Sequence, residues 1–367
     1  MNGPDAPCCG EKTIFVLGAG FTRAFFPKSP LLLADYRGEQ LLEEVKALRA
    51  ATKILETELR ISNGCLNLER LLTRLHSQMP YEPRVGELDE YRVLSNRLVE
   101  AFEKRLRSAL RDEVHLNDLK AFAHLCAREE IDCITFNYDT ALDQALHGVK
   151  CREGRKRATD EPESLAPWDP DTGYGFFCPA SPTVLGDSPF ADIYPTRMVL
   201  LKLHGSLNWR VTIGTQEPYR LGDIVHHDEW SRSDVKPWPK QARIESLLEK
   251  RPILVPPLPG KDALLVSPVL CTVWRRAWDL LTRAEEVVFV GYSLPLTDIA
   301  SRYLFSEAIS PTATVRVINF AKSHERRNRL VKDYKEVFPH LADDAFSFAG
   351  ALHWARELVQ QSQEHPS

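Results

Sequence analysis

The sequence lacks the features that mark membrane, secreted and nucleic-acid-binding proteins. No apolar run approaches the ~20 residues that a membrane-spanning helix needs. The N-terminus has no charged start followed by an apolar core, as a secretory signal would. The formal net charge of −4 gives no general attraction to nucleic acid or to an anionic membrane. These absences predict a cytoplasmic protein with no membrane association and no direct nucleic-acid binding.

The chain also lacks a disulfide framework, because its eight cysteines are scattered along the sequence. A reducing compartment explains that usage. Apolar residues make up 43% of the chain and charged residues 27%, as in an ordinary globular protein. A length of 367 residues suffices for one large domain with insertions or for two lobes. We expect a flexible leader over residues 1–12, followed by one domain over residues 13–367.

Five apolar segments are predicted to be strands, and each runs into a polar or glycine-rich turn. In the last third of the chain such segments alternate with helical ones, which is typical of parallel β/α units. The sequence therefore predicts an α/β fold, a Rossmann-like parallel sheet with helices on both faces. The segments and their turns are 13–17 before Gly18-Ala19-Gly20-Phe21-Thr22, 131–136 before Asn137-Tyr138-Asp139, 198–203 before His204, 286–290 before Gly291-Tyr292-Ser293, and 313–318 before Asn319.

The polar or glycine-rich turns at these strand ends predict a shared ligand crevice, because ligands of open α/β sheets bind beyond the carboxyl ends of the strands. His204 lies at such an end, where an imidazole can move a proton near neutral pH. A loop histidine that caps a turn is the alternative, and for this residue alone it is the better one. Five such ends in one chain favour the crevice.

The turn at Gly18 and Gly20 resembles a phosphate-binding turn. It follows a strand and precedes a predicted helix, so backbone N–H groups can face a phosphate. The third glycine of the G-x-G-x-x-G pattern is replaced by Arg23. A glycine turn that serves strand-to-helix packing alone is an equal alternative.

Two long insertions separate the predicted strands. Residues 36–112 form a helical insertion with apolar stripes at helical spacing, which we expect to pack as a bundle and to cover the crevice or contact another subunit. Residues 151–196 are rich in Pro, Asp and Gly and are predicted to form an irregular flap anchored by aromatic side chains. His226, His227 and Asp228 have metal-ligand chemistry, but their polar context is typical of a surface loop, so no metal site is predicted.

The order of these motifs resembles the sirtuin-like NAD-consuming domain, and in particular the bacterial branch known for NAD hydrolysis in antiphage defence. The resemblance covers residues 13–20, 131–146, 198–209 and 251–320. It implies that NAD is the substrate. The resemblance implies that Gly18, Ala19 and Gly20 bind the pyrophosphate, in a cofactor-binding turn that Phe21 and Thr22 complete. It implies that Asn137 orients the ribose and an attacking water, that His204 is the general base and that Asp139 supports the nicotinamide pocket. Contacts to the phosphates and to the adenosine ribose are implied for Gly291, Ser293 and Asn319.

The chain departs from the pattern of protein-deacylating sirtuins. Those enzymes carry a zinc ribbon of two Cys-x-x-Cys pairs after the histidine, whereas residues 205–290 hold one cysteine, Cys271. A four-thiolate zinc site is therefore excluded in that interval. We expect an NAD glycohydrolase without zinc that releases nicotinamide and ADP-ribose, acts in antiphage defence and forms homo-oligomers. The resemblance also suggests a partner ATPase that translocates DNA. A non-catalytic NAD or ADP-ribose sensor and an NAD-dependent deacylase are the alternatives.

Overall fold

The computed structural model describes a defined part of the chain, and every structural statement below concerns that part. The described residues are 12–29, 36–37, 49–61, 65–66, 71, 74–75, 88–111, 114–152, 165–180, 198–215, 219–220, 222–227, 252–254, 267–296 and 298–364. Most of the predicted leader lies outside them. Among these residues, no helix is both long and apolar enough to cross a membrane.

Strands and helices alternate along the described chain. The strands are β1 Thr13–Leu17, β2 Tyr36–Arg37, β3 Cys65–Leu66, β4 Asp132–Thr135, β5 Lys150–Arg152, β6 Leu165–Pro167, β7 Leu200–Lys202, β8 Gly205–Ser206, β9 Trp209–Val211, β10 Ile224–His226, β11 Ile253–Leu254, β12 Glu286–Val290, β13 Thr314–Ile318 and β14 Phe346–Ser347. The helices are α1 Ala19–Phe25, α2 Arg49–Ile61, α3 Leu88–Ala109, α4 Leu116–Arg128, α5 Ala141–Leu146, α6 Pro170–Gly173, α7 Pro268–Leu281, α8 Ile299–Ala308, α9 His324–Lys335 and α10 Ala351–Glu364.

Six strands form one parallel sheet in the order β14-β13-β12-β1-β4-β7. The strand that enters the glycine turn, β1, is central, with Phe15 opposite Val288 of β12 and opposite Cys133 of β4. Every residue of β1, β4 and β12 is buried, as expected for parallel strands covered on both faces. The predicted α/β fold is confirmed.

Aromatic contacts show that helices cover both faces of this sheet. Phe15 stacks on Phe122 of α4, with ring centroids 5.6 Å apart. Its neighbour Val16 points to the opposite face and is paired in register with Phe289 of β12. Phe289 contacts Phe305 of α8 edge-on, at 4.9 Å. The helices α4 and α8 therefore lie on opposite sides of the sheet.

The helical insertion forms a second, smaller core. Its described helices, α2 and α3, agree with the predicted helical pattern, whereas residues 39–48 and most of 68–76 lie outside the described residues. Apolar side chains of the insertion form a cluster that also includes Tyr138 and Leu207, which follow β4 and β8. The insertion is thereby packed against the carboxyl edge of the sheet, although its predicted bounds, 36 and 112, remain untested.

The described part of the predicted flap is well packed. Trp168, Tyr174 and Phe176 are buried in the main core, and the Tyr174 and Phe176 rings contact Trp209 edge-on at 5.4 and 5.0 Å. The aromatic anchors predicted from the sequence are thus present. Residues 153–164 and 181–197 lie outside the described structure.

Candidate active site

The glycine turn after β1 packs directly against the turn after β12. Gly18 N–H donates to the Val290 carbonyl at 3.0 Å, and Gly20 N–H donates to the Gly291 carbonyl at 2.8 Å. A Cβ atom on Gly18 would lie 2.5 Å from Tyr292 Cα, and one on Gly20 would lie 2.8 Å from the Gly291 oxygen. Close packing therefore explains why both positions are glycine. The two N–H groups, which we expected to face a phosphate, donate to backbone carbonyls instead. Pyrophosphate binding at this turn stays a prediction.

The next residues of the turn divide between surface and core. Ala19 is exposed, whereas the Phe21 side chain is buried against Phe25 and Phe122. Gly291, at φ +63°, approaches the turn so closely that a Cβ atom would lie 2.1 Å from Phe21 N. The sequence predicts Phe21 as a cofactor contact. The structure places its side chain in the core, so such a contact would fall to its backbone.

The Asn137 side chain joins the turn after β4 to the turn after β1. Its Nδ2 donates to the Gly18 carbonyl at 2.8 Å and to Thr22 Oγ1 at 3.0 Å. Because a carbonyl can accept but not donate, the first of these bonds fixes which way the amide points. The amide oxygen, Oδ1, is then the atom that Asn137 presents as an acceptor to a ligand.

Thr22 and Asp139 hold Asn137 in this orientation. Thr22 Oγ1 donates to Asp139 Oδ2 at 2.7 Å, and the other carboxylate oxygen accepts from Ala141 N–H at the start of α5. Burial raises the pKa of Asp139, although the Lys202 charge and the Thr22 hydrogen bond oppose this rise. Both oxygens of Asp139 are therefore engaged in bracing the loop. Contact of Asp139 with nicotinamide remains a prediction.

A fully buried lysine ties this loop to β7. Lys202 Nζ lies 3.1 Å from both carboxylate oxygens of Asp143 and also donates to the Asp139 carbonyl. Removing one partner of such a pair leaves a buried charge, at a cost of about 3–5 kcal/mol. The sequence analysis did not identify Asp143, because its position early in a short helix gives no sign of a partner on β7.

His204 follows β7 and is buried among aromatic rings. Its ring centroid lies 5.1 Å from that of Phe136, 6.2 Å from that of Tyr138 and 6.5 Å from that of Trp274. The next residue, Gly205, has φ +85°, a conformation that favours glycine. The side chains on either side of Asn137 thus contact the predicted general base, so the structure brings Asn137 and His204 to one region.

Asp298 is a buried carboxylate that the sequence analysis missed. Its Oδ2 lies 3.5 Å from His204 Nε2 and accepts a hydrogen bond from the Tyr292 hydroxyl at 3.1 Å. Burial, together with the Asp298 charge, raises the pKa of Tyr292 well above its ordinary value, so this hydroxyl stays protonated and donates. The other oxygen caps α8 through Ser301 N–H. The sequence signal at Asp298 is that of a helix cap, and nothing in it indicates His204.

The two residues predicted for the adenosine side differ in their surroundings. Asn319 Nδ2 donates to the Tyr292 carbonyl at 2.9 Å, while its Oδ1 accepts from Phe320 N–H. Ser293 is exposed. Asn319 thus connects the turn after β13 to the turn after β12, and the ribose contacts expected of Ser293 and Asn319 remain predictions.

His226 corrects the prediction of a surface loop. It ends strand β10, is 8% exposed and has Nε2 2.6 Å from Asp171 Oδ1. Asp169 lies nearby, and one ligand-type atom from each of the three residues falls within 4.8 Å of the others. Asp169 Oδ1 also accepts from Asp171 N–H and caps α6. The helix cap and the histidine–aspartate contact account for this cluster.

Comparisons with known proteins give structural similarity alone. No protein-family model matches the chain, and no curated protein matches it. The similar solved structures include a Sir2 homologue in complex with NAD, with a TM-score of 0.46, 13% identity and coverage of 97% of this chain and 91% of that chain. Another is an ADP-ribose complex of a Sir2 homologue mutant, with a TM-score of 0.44, 15% identity and coverage of 97% and 94%. At such identities the similarities do not indicate which reaction this chain performs.

Proposed function

We propose that this chain cleaves the N-glycosidic bond of NAD with water and releases nicotinamide and ADP-ribose. The observation that carries the proposal is the orientation of Asn137. Its amide nitrogen is fixed by Gly18 and Thr22, so its oxygen is the atom that can accept from a ligand. His204 contacts the rings of the two flanking residues, Phe136 and Tyr138. NAD itself enters from the sequence resemblance, which assigns these same residues to an NAD crevice.

The reaction requires a positioned water and a group that takes its proton. Asn137 Oδ1 accepts a hydrogen bond from the water and holds it beside C1′ of the nicotinamide ribose. The water oxygen bonds to C1′, the C1′–N bond breaks, and its electron pair neutralises the departing pyridinium as nicotinamide. The water proton passes to His204 and then to solvent. Positioning of this kind supplies much of the acceleration that such a site offers.

Asp298 acts in this scheme as a positioning residue for His204. A carboxylate beside an imidazole orients the ring and stabilises the imidazolium that forms when the base takes a proton. The Tyr292 hydrogen bond and the cap of α8 fix the carboxylate in turn. Asp298 is thus held by two elements before any substrate binds.

The biological part of the proposal follows from the sequence resemblance. NAD depletion would serve antiphage defence, and uncontrolled depletion would harm the host. We therefore expect the activity to depend on a trigger, such as self-assembly or a partner ATPase.

The test is incubation of the purified full chain with NAD, alone and together with the product of a neighbouring gene. The expected result is release of nicotinamide and ADP-ribose in equal amounts under at least one of these conditions. NAD that is bound but stays intact under both conditions would contradict the hydrolase and favour the sensor.

A further inference from the structure

A small cavity lies between the helical insertion and the sheet, apart from the candidate active-site residues. Its volume is about 210 Å³. It is lined by Arg107 and Arg111 at the end of α3, Thr140 and Gln144 at the start of α5, and Leu207 and His227 from the segments after β8 and β10. None of the residues proposed to bind NAD or to act on it lines this cavity.

The lining of the cavity suits an anion. Among the residues that the structure describes, its lining holds two guanidinium groups and an imidazole and no carboxylate. Glu103 Oε1 accepts from Nε and Nη2 of Arg107, at 2.9 and 2.6 Å, and from the buried Arg210 at 2.8 Å. Arg107 and Arg210 are thus both held by Glu103, and Arg111 adds a further guanidinium to the lining. The planar fork of Arg111 matches the geometry of phosphate oxygens.

The size of the cavity limits its ligand. Pockets for drug-sized ligands span about 300–1,000 Å³, so about 210 Å³ suits a smaller molecule than a dinucleotide. The Thr140 hydroxyl and the Gln144 amide add neutral hydrogen-bonding groups beside the arginines. Such a mixture matches a sugar phosphate, which has hydroxyl groups beside its phosphate.

The cavity is connected to the candidate active site through the backbone. Leu207 N–H donates to the Tyr138 carbonyl at 2.9 Å, and the Tyr138 ring lies 6.2 Å from the His204 ring. Thr140 directly follows Asp139, which braces Asn137 through Thr22. A ligand that orders Thr140 and Leu207 therefore acts on the loop that carries Asn137.

We propose that this cavity is an effector site for a phosphate monoester of sugar-phosphate size, and that its occupancy changes the activity of the neighbouring crevice. The binding part stands on the cavity alone. The effect on activity rests on the proposed NAD cleavage.

The experiment measures binding of ribose 5-phosphate to the full chain by calorimetry without NAD, with ribose and inorganic phosphate as comparison probes. We expect binding of ribose 5-phosphate that weakens with added salt, weaker binding of phosphate, and none of ribose. Arg111→Gln and Arg107→Gln should each weaken binding by about 10- to 100-fold, since a hydrogen bond to a charged group contributes about 1.5–3 kcal/mol. Arg105→Gln, at an exposed position of α3 outside the cavity, is the matched control and should bind as the wild type does.

The site would be overturned by no binding at millimolar concentration, or by equal binding of the Arg111, Arg107 and Arg105 variants. Displacement of ribose 5-phosphate by NAD in strict competition would place it in the NAD crevice and would also contradict the proposal. Because these readouts need no NAD cleavage, their failure is distinguishable from failure of the proposed function. The activity part is tested by the rate of nicotinamide release with and without ribose 5-phosphate, and an unchanged rate would contradict it.

Discussion

At the scale of single residues, Asn137 and His204 carry the proposed chemistry. His204→Ala should lower NAD cleavage by about 10²–10⁴-fold, the usual effect of removing a general base, and Asn137→Ala should also abolish most of the activity because the attacking water is no longer positioned. Asn137→Ala should also cost about 1–3 kcal/mol of stability, because it leaves the Gly18 carbonyl and Thr22 without their donor. The measurements are nicotinamide release and urea denaturation.

Thr13→Val provides the matched control for that stability loss. It removes a buried hydrogen bond to Glu286 at the amino end of β1, far along the strand from the glycine turn. We expect lower stability with unchanged cleavage. If both the Asn137 variant and the His204 variant kept near-normal turnover, the assigned site would be wrong.

Asp298 gives a second prediction at this scale. Asp298→Asn keeps a helix-capping side chain but removes the charge beside His204, so kcat should fall by at least about tenfold. Because a neighbouring carboxylate favours a protonated imidazole, the acid limb of the pH–rate profile should move to lower pH. Ser323→Ala, which removes the cap of α9, should lower stability and leave that limb in place. If the acid limb of the pH–rate profile stays at the same pH in Asp298→Asn, Asp298 serves only as a helix cap, and its positioning role is contradicted.

At the scale of elements, the close approach of two turns explains the glycines. Gly291→Ala forces φ +63° on alanine and places Cβ 2.1 Å from Phe21 N. Gly214→Ala forces a similar φ, +88°, with no atom within 4 Å. The Gly214 variant should lose about 1–2 kcal/mol, and the Gly291 variant clearly more, in chemical denaturation. Equal losses would contradict the packing account of the glycine turn.

Burial of Asp132, the first residue of β4, makes stability depend on pH. Burial raises the pKa of Asp132 from its ordinary value of about 3.8 to about 6, although the hydrogen bond that its carboxylate accepts from Val199 N–H opposes the rise. Between these values the folded state binds the proton and the unfolded state does not. Stability should therefore fall as pH rises from about 4 to 6, by about 3 kcal/mol for this group at about 1.4 kcal/mol per pKa unit.

Asp132→Asn tests that dependence, since the asparagine oxygen can still accept from Val199 N–H. The variant should be more stable than the wild type at pH 7 and should lose this part of the pH dependence. The contrasting control is Asp118→Asn, because a hydrogen bond from Arg356 lowers the pKa of Asp118. That variant should be slightly less stable at pH 7. If the stability of Asp132→Asn relative to the wild type does not rise between pH 4 and 6, a buried, protonated Asp132 is contradicted.

The elements also show how far the sequence predicts the structure. Continuous apolar runs such as 13–17 and 286–290 identify buried parallel strands, because the pattern of consecutive residues is enough to recognise such a strand. The contact of Asp298 with His204 joins residues from distant strands, so no local pattern reveals it. The glycine turn shows a third case. The motif was visible, but its carbonyl partners at Val290 and Gly291 depend on the sheet order.

At the scale of the whole molecule, the sheet gathers the predicted residues at one edge, and the helical insertion packs against that edge. Hydrogen bonds link the turns after β1, β4, β12 and β13, and ring contacts add His204 after β7. This arrangement brings an oriented amide and an imidazole to the same edge of the sheet. The lack of zinc, the lack of deacylase activity and the formation of homo-oligomers remain predictions from the sequence.

The most direct test of the central claim is the identity of the acceptor of C1′. A deacylase passes C1′ to an acyl oxygen, so its nicotinamide release requires an acyl-lysine peptide, whereas a hydrolase passes C1′ to water. Under activating conditions, we expect NAD alone to yield nicotinamide and ADP-ribose, and in H₂¹⁸O the label should enter ADP-ribose at C1′. Strict dependence on an acyl-lysine peptide, with transfer of the acyl group to ADP-ribose, would contradict this expectation.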